Sequence, residues 1–350
     1  MSRARLADVA RLQARRTRRR AAVIALRVVP LSLLLRLRSA HLEDRPSALP
    51  FAWRHAVLRA ARVRGIPQRD PFEVAGLPRI RIAPADSRIA AYLFWLGIEG
   101  HEPGEPAWWA SLTASHSSVL ELGANIGVYT LVGAAQAPPG RPYRAVEANP
   151  TSIDALRTNL ALNQLGNVQV VGAAAVGAPG GGTVTLHFPA SDVYGASSGA
   201  FVDGTQSGNR MVASRQVSVP SVCVSDLIAG VDLMKLDVEG LELEVLRAVR
   251  SWIVHTMPTL VVEVLDESRA LQRFLADLIS EVSYLCVVLL DGRPVVVDDC
   301  VVAKGQLQKR LGARDVTLVT RQRLDKVIEV TDPGTESDLR SMPDGGAQLR

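Results

Sequence analysis

The chain has 350 residues, of which 47% are hydrophobic and 21% are charged. These proportions are typical of globular proteins and exclude a wholly disordered, collagen-like or coiled-coil chain. The three cysteines (Cys223, Cys286 and Cys300) are widely spaced and form no C-x-x-C pair. They argue against a disulfide scaffold and a cysteine zinc site, and they favour a reduced, cytoplasmic setting.

Positive charge is concentrated at the N terminus. Residues 1–65 contain 16 arginines and three acidic residues, a net charge of +13. Because the whole chain carries +5, the remainder carries −8, and we do not expect the folded body to bind nucleic acid. We predict that residues 1–65 form a basic helical arm that packs on the domain.

An apolar run within this arm has two alternative interpretations, a secretory signal peptide and a helix on a membrane surface. It follows the basic segment RLQARRTRRR, as in a secretory signal, but Arg27 and Arg36 interrupt it and no convincing cleavage site follows. Its longest charge-free piece, 28–35, has eight residues, far fewer than the ~20 of a membrane-spanning helix. The second alternative is an amphipathic helix on an anionic membrane surface. The expected location is therefore cytoplasmic, with peripheral membrane contact left open.

Short apolar runs alternate with helix-like stretches over much of the chain. The predicted strands are 118–122, 143–147, 168–171, 233–236, 260–264 and 285–290. The predicted helices are 126–135, 151–164, 241–253 and 268–280. This alternation predicts an α/β fold with a mostly parallel sheet. Ligands of such sheets bind beyond the carboxyl ends of the strands, so the residues there are candidates for function.

The chain divides into five predicted segments. They are the basic arm 1–65, a helical approach segment 66–115, the α/β domain 116–300, a C-terminal extension 301–330 and a disordered tail 331–350. Within the α/β domain, residues 178–182 predict a turn. The polar, Gly/Ser-rich stretch 189–214 predicts a long loop of the kind that often covers or selects a substrate.

The first two strands end in residues suited to a nucleoside. The first breaks into GANIG (123–127), where glycines allow a tight turn and close approach of a ligand to the backbone. The glycine spacing differs from the dinucleotide motif G-x-G-x-x-G, which disfavours an NAD-dependent dehydrogenase. The loop also lacks the G-K-[ST] of a P-loop, which disfavours tight triphosphate binding. Glu147 ends the second strand, where a carboxylate can accept both ribose hydroxyls. Asn149 and Pro150 read as the start of the following helix.

Acidic residues crowd the end of the strand at 233–236. Lys235 lies in this otherwise apolar strand, which is costly unless a carboxylate such as Asp237 pairs with it. Asp237 and Glu239 sit beside the expected ligand crevice, and we assign them a function. Glu242 and Glu244 fall in the first helical turn, where the helix dipole favours acids.

These motifs resemble a known family. The stretches ELGANIG-VYTL, VEANP and DLMKLDVEGLELEVLRA, with the approach segment LFWLGIEGHEPGEPAWW, are similar to the FkbM-type family of class I S-adenosylmethionine-dependent methyltransferases. The resemblance covers about residues 90–290 and implies a Rossmann-like fold with helices on both faces of the sheet. Two departures are Glu121, where the family more often has Asp, and SDLI (225–228) in place of Leu-Asp-x-Leu.

The resemblance implies a cofactor and a site. The cofactor is S-adenosyl-L-methionine, and its binding residues are Glu121, Gly123, Ala124, Asn125, Gly127, Glu147 and Asn149. The catalytic residues are Asp237 and Glu239, near the transferred methyl group and the acceptor. Methyl transfer from a sulfonium needs no metal, but it needs an aligned acceptor and a base. His101, His116 and His187 are alternative bases.

The expected reaction is O-methylation of a hydroxyl on a sugar, glycan precursor or secondary metabolite. An N- or C-methyltransferase, or a catalytically silent nucleoside-binding module on the same fold, remains an alternative. The acceptor itself and the oligomeric state cannot be read from the sequence.

Overall fold

The computed structural model divides the chain into two compact units, Met1–Glu102 and Pro103–Arg350. The residues that it describes are 29–44, 49–77, 79–178, 181–189, 200–202, 213–265, 268–290, 292–297 and 315–331. The predicted tail 331–350 thus lies outside the described residues except for Thr331. So do residues 1–28 of the basic arm and most of the predicted loop 189–214.

The first unit contains three α-helices and a small antiparallel sheet among its described residues. They are α1 (Leu31–Leu42), α2 (Phe51–Ala61), α3 (Arg88–Leu96), β1 (Phe72–Glu73) and β2 (Arg81–Ile82). Leu34, Leu58 and Phe94, one from each helix, are buried in its interior. The Trp95 indole N–H donates to the carbonyl of Gly65 at 2.9 Å. The predicted boundary at residue 65 therefore crosses a compact unit.

The second unit is built on an eight-stranded sheet. Its strands are β3 (Val119–Leu122), β4 (Tyr143–Glu147), β5 (Val168–Gly172), β10 (Leu233–Leu236), β11 (Thr259–Glu263), β12 (Leu285–Leu290), β13 (Arg293–Val297) and β14 (Asp315–Val319). Their order is β13-β12-β14-β11-β10-β3-β4-β5. Strands β5, β4, β3, β10 and β11 are parallel, and β14 runs antiparallel to β11 and β12. The prediction of a mostly parallel central sheet is confirmed.

Helices cover both faces of this sheet. They are α4 (Glu105–Ser115), α5 (Val128–Gln136), α6 (Pro150–Leu162), α7 (Glu242–Ala248), α8 (Arg250–Thr256), α9 (Arg269–Val282) and α10 (Arg321–Thr331). Leu120 and Leu122 of β3 share a hydrophobic cluster with side chains of α7, α8 and α9. Glu121 between them points to the opposite face, where it meets Thr130 of α5. The alternation of side chains along β3 thus links the sheet to two helical layers, as predicted.

The strand order reverses at β3. From β3 the chain runs outwards through β4 to β5, and it later returns to β10 on the other side of β3. Leu236 of β10 is in register with Leu122 of β3, so their carboxyl ends are neighbours. The crevice at such a reversal is where open α/β sheets bind ligands.

A second sheet interrupts the chain between β5 and β10. Its strands are β6 (Ala174–Val176), β7 (Thr183–Pro189), β8 (Phe201–Val202) and β9 (Ala213–Cys223), in the order β6-β9-β7-β8. The predicted loop 189–214 is therefore wrong at residues 201–202 and 213–214. These residues pair with β7, and such pairing depends on tertiary context more than on local composition.

Two predicted boundaries also differ from the structure. Helix 241–253 is divided into α7 and α8 at Val249, although no glycine or proline marks the break. Strand β14 lies between β11 and β12, so the sheet includes residues predicted as a C-terminal extension. The boundary predicted at residue 300 falls inside the fold, because β14 joins the sheet through long-range pairing that local sequence does not mark.

Candidate active site

All of the predicted site residues except Glu121 meet at one edge of the eight-stranded sheet. Strands β3, β4 and β10 are in parallel register, so the segments that follow them emerge side by side. We call this place the carboxyl edge and define it by residues 123–127, 147–149 and 237–240, with Glu263 at the end of β11. The structure thus brings together the glycine loop, Glu147, Asp237 and Glu239.

Gly123 is required by the chain's own packing. Its φ is +87°, a left-handed value, and an added Cβ would lie 1.8 Å from the carbonyl oxygen of Asp237. No side chain fits there, since the end of β10 occupies the space. The sequence suggests that a ligand approaches the backbone at this glycine, whereas the structure shows that the neighbouring strand end does. The Gly123 N–H donates to the carbonyl of Val146, which joins the loop to β4.

Glu147 clamps the glycine loop to the end of β4. Its carboxylate accepts the backbone N–H of Asn125 at 2.7 Å and that of Asn149 at 2.8 Å. The side chain is buried, and burial raises the pKa of Glu147, while these hydrogen bonds oppose the rise. The carboxylate sits where the resemblance places the ribose contact, and it also shapes the loop.

The other predicted cofactor residues of the two loops form local backbone structure. Asn149 is the N-cap of α6, and its side chain accepts the N–H of Thr151 at 3.1 Å. Asn125 has a φ of +49°, and its side-chain oxygen accepts the N–H of Ile126 at 2.8 Å. Ala124 is buried. Gly127 is the N-cap of α5, and its φ of +91° is a left-handed value that glycine adopts without steric cost.

Glu121 is buried on the face of the sheet that α5 covers. Its carboxyl is buried in the layer of α4 and α5, where the hydroxyls of Thr130 and Tyr143 donate to it at 2.8 and 2.6 Å. Burial raises the pKa of Glu121 to about 7, and these two hydrogen bonds act against the rise. The role of Glu121 in binding the methionine part of the cofactor remains a prediction.

Asp237 and Lys235 form an ion pair at the end of β10. The Lys235 ammonium lies 3.1 Å from Oδ2 of Asp237, which confirms the predicted pairing. The Lys235 side chain is 3% exposed and that of Asp237 is 30% exposed. The pair therefore spans the boundary between the interior and the carboxyl edge. Among the described residues, Oδ1 of Asp237 has no hydrogen-bond partner.

Glu239 and Glu242 differ in their surroundings. Glu242 closes the turn after β10, because its carboxylate accepts the N–H groups of Val238 and Gly240 at 3.0 Å. This agrees with the structural role predicted for Glu242. Glu239 lies within that turn at a φ of +52°, a strained value for a glutamate.

Two acidic residues near the site were missed. Glu263 ends β11, and burial raises its pKa well above the usual range, with the Asp237 and Glu239 carboxylates adding to the rise. The strand-end argument applies equally to Glu263 and could have identified it. Asp315 lies 4.0 Å from the Lys235 ammonium, but its strand was not predicted. No group of three or more His, Cys, Asp or Glu side chains in the described ranges is arranged to hold a metal ion.

One of the alternative histidine bases, His116, lies at the other edge of the sheet. His116 is buried, and its ring nitrogens lie 2.7 Å from the Leu112 carbonyl and 2.7 Å from the Thr259 hydroxyl. Thr259 begins β11, so His116 is at the opposite end of the strands, and its selection as a residue near the cleft is wrong. His187 is buried in β7 of the second sheet, and His101 belongs to the first unit.

The order and direction of the strands indicate the class of protein. A parallel sheet that reverses at its first strand and receives one antiparallel strand between β11 and β12 is the architecture of class I methyltransferases. Residues 121–285 match the family described as "Methyltransferase FkbM domain". This part of the chain therefore matches the FkbM family of methyltransferases, the family that the motifs predicted.

Solved structures of methyltransferases show a distant likeness. The methyltransferase FkbM from Methylobacillus flagellatus KT is 16% identical, with a TM-score of 0.35 over 59% of this chain and 44% of that one. The O-methyltransferase from Bacillus cereus in complex with SAH is 11% identical, with a TM-score of 0.34 over 63% and 82%. The SAM-dependent methyltransferase from Agrobacterium tumefaciens is 12% identical, with a TM-score of 0.37 over 73% and 70%.

These similarities to solved structures do not identify the substrate of this protein. TM-scores below 0.5 at such low identity carry no argument about substrate, and this chain spans less than half of the Methylobacillus protein. No curated protein matches the chain. The family match and the topology of the sheet are what support the class.

Proposed function

We propose that the protein transfers the methyl group of S-adenosylmethionine to a hydroxyl of a small molecule or glycan precursor. The observation that supports this proposal is the hydrogen bonding and exposure of the Asp237 carboxylate at the carboxyl edge. One of its carboxylate oxygens is held by Lys235, and the other has no hydrogen-bond partner among the described residues. The side chain is partly exposed, so this second oxygen is available to an acceptor hydroxyl.

The charge of the carboxyl edge suits the cofactor. Glu147, Asp237, Glu239 and Glu263 place four carboxyl groups there, and the raised pKa of Glu263 reflects burial together with the repulsion of its neighbours. A cationic sulfonium lowers this repulsion when it binds, because opposite charges in a partly desolvated site attract. Glu147 would accept the ribose hydroxyls, and residues 123–127 would pack against the nucleoside.

The chemistry required of the chain is proton removal and alignment. The bound cofactor supplies an electrophilic methyl group on a sulfonium. The acceptor oxygen forms a bond to the methyl carbon as the carbon–sulfur bond breaks, and the acceptor proton passes to Asp237. A base within hydrogen-bond reach contributes about 10²–10⁴-fold to such a reaction. Glu239 would assist by orienting the acceptor at the same edge.

Calorimetry and a labelled-methyl screen test the proposal. Titration with S-adenosylmethionine and with NAD should show binding of the first alone. Incubation with labelled cofactor and a panel of hydroxylated metabolites should label an acceptor in a bond with the stability of an ether or ester. A product labelled at nitrogen or carbon would favour N- or C-methylation, and binding without transfer to any acceptor would favour a silent module.

We also propose that the protein is cytoplasmic and that its N-terminal region contacts anionic membranes. None of the described helices is long and apolar enough to cross a membrane. The net charge of +13 over residues 1–65 accompanies exposed Phe51 and Trp53 at the start of α2, and the Trp53 side chain is 67% exposed. Basic residues near an anionic surface contribute about 1 kcal/mol each. Sedimentation with anionic but not neutral vesicles would support this contact.

A further inference from the structure

We propose that Lys235 is a positioning residue for methyl transfer, which holds Asp237 so that its free oxygen faces the acceptor. The inference rests on the proposed function of Asp237. It assigns a role to a residue that lies inside the sheet and does not reach the acceptor itself.

The position of Lys235 is unusual for an ammonium group. It lies in β10, between β3 and β11, and its side chain is 3% exposed. Burying a charge costs free energy unless partners compensate for the lost water. If this position contributed only to packing, we would expect an apolar residue there, as at Leu233, Met234 and Leu236.

Contacts from three elements hold the ammonium. Its nitrogen lies 3.1 Å from Asp237 at the end of β10 and 4.0 Å from Asp315 of β14. It also lies 4.4 Å from the centre of the Tyr129 ring of α5, a cation–π geometry. The Tyr129 hydroxyl donates to Glu105 of α4 at 2.9 Å, which fixes the ring. The ammonium is thus held from both the sheet and a helical layer.

The contact with Asp237 has a direction. Oδ2 of the carboxylate accepts the hydrogen bond from the ammonium, so this contact restricts rotation of the carboxylate about its terminal bond. Asp315 is 14% exposed and Asp237 is 30% exposed, so of the two partners Asp237 is the one that opens more to the carboxyl edge. Fixing a reactive group within a fraction of an ångström is worth much in rate, since a displacement of about 1 Å can cost about 10²-fold.

The substitution Lys235→Met tests this role, because it keeps the length and removes the charge. Arg323→Met is the matched control: it removes the 3.5 Å ion pair between Arg323 and Asp232, which lies at the opposite end of the strands. We expect Lys235→Met to lower the single-turnover rate about 10²-fold while the dissociation constant for S-adenosylmethionine changes by less than about threefold. Arg323→Met should keep the wild-type rate.

A double-mutant cycle separates positioning from a general structural role. If Lys235 acts through Asp237, the variant carrying Lys235→Met and Asp237→Asn should be no slower than Asp237→Asn alone. Rates that multiply would mean independent roles and would overturn the inference. So would a wild-type rate for Lys235→Met.

A crystal structure of the Lys235→Met variant gives a readout that needs no acceptor. We expect the Asp237 side chain to change its rotamer or become disordered, while that of the Arg323→Met variant keeps it. An unchanged Asp237 in Lys235→Met would overturn the inference even if no acceptor is found. Failure of the wild-type protein to bind S-adenosylmethionine or to methylate any acceptor would count against the proposed function instead.

Discussion

The two edges of the eight-stranded sheet are built on the same strands but are organised in opposite ways. At the amino edge, Asp232 accepts the backbone N–H groups of Ser117 and Ser118 at 2.8–3.0 Å and lies 3.5 Å from Arg323. His116 at this edge is paired through both ring nitrogens. The polar groups of the amino edge therefore hydrogen-bond one another and join β3, β10 and β11.

The carboxyl edge is richer in acidic side chains by comparison. Two of its residues that bear side chains, Asn125 and Glu239, have positive φ values. The carboxylates of Asp237 and Asp315 both lie within 4.0 Å of the buried Lys235 ammonium. The other oxygen of Asp237 has no hydrogen bond in the described part of the chain. Like charges held close together lower stability, and such clusters are typical of functional sites. The amino edge thus serves the fold, and we propose that the carboxyl edge serves the reaction.

The largest effect we predict is that of Asp237→Asn on turnover. The substitution keeps the size of the side chain and removes the carboxylate that, in our proposal, takes the acceptor proton. We expect the single-turnover rate to fall about 10²–10⁴-fold while affinity for S-adenosylmethionine changes little. Glu239→Gln in parallel shows whether that residue shares the role. A wild-type rate for Asp237→Asn would make this aspartate structural and break the contrast between the edges.

Gly123→Ala should have the largest effect on stability. The added Cβ would meet the Asp237 carbonyl oxygen at 1.8 Å, so the strand end must move. Gly140→Ala is the matched control, since Gly140 also has a positive φ, +79°, but its Cβ would meet nothing within 4 Å. We expect urea denaturation to show a loss of about 1 kcal/mol for Gly140→Ala and about 3 kcal/mol or more for Gly123→Ala. Equal losses would mean that the close approach is unimportant.

Asp232 at the amino edge and Glu147 at the carboxyl edge both accept backbone N–H groups, so their substitution compares the two edges. We expect Asp232→Asn and Glu147→Gln each to lower the free energy of unfolding by about 1–3 kcal/mol, because each variant replaces a carboxylate with a group of weaker acceptor capacity. Only Glu147→Gln should also weaken binding of S-adenosylmethionine in calorimetry. If Asp232→Asn weakened it equally, cofactor binding would depend on general stability and not on the carboxyl edge.

The pH dependence of stability should report Glu121. Burial raises the pKa of Glu121 to about 7, compared with an ordinary value of 4.5. The folded state therefore holds a proton between these values that the unfolded state releases. This contribution to stability is fully present below pH about 4.5 and is lost as the pH rises through about 7.

Glu121→Gln removes this pH dependence and keeps a group that can accept from Thr130 and Tyr143. We expect the variant to gain about 1–3 kcal/mol over the wild type at pH 8 and little at pH 5 in urea unfolding. The same difference at both pH values would show that the carboxyl does not titrate in this range.

The class of the protein and most of its sheet could be predicted from the amino-acid sequence. Strands 143–147, 233–236 and 285–290 were predicted with the observed boundaries, because each is a short run of mostly apolar residues. Strand-end residues could be grouped into one site from their positions along the chain, because parallel strands bring their carboxyl ends to the same edge. The pairing of Lys235 with a carboxylate followed from the cost of burying a charge.

The residues that complete that site, and the atoms that each one touches, depend on the tertiary structure. Asp315 reaches Lys235 through a strand more than 70 residues away in sequence, and pairing of this kind leaves no local signal. The need for Gly123 comes from the carbonyl of Asp237, and His116 proved to be at the far end of the strands. Contacts between distant segments depend on how strands pair and which face each side chain takes, and local composition specifies neither.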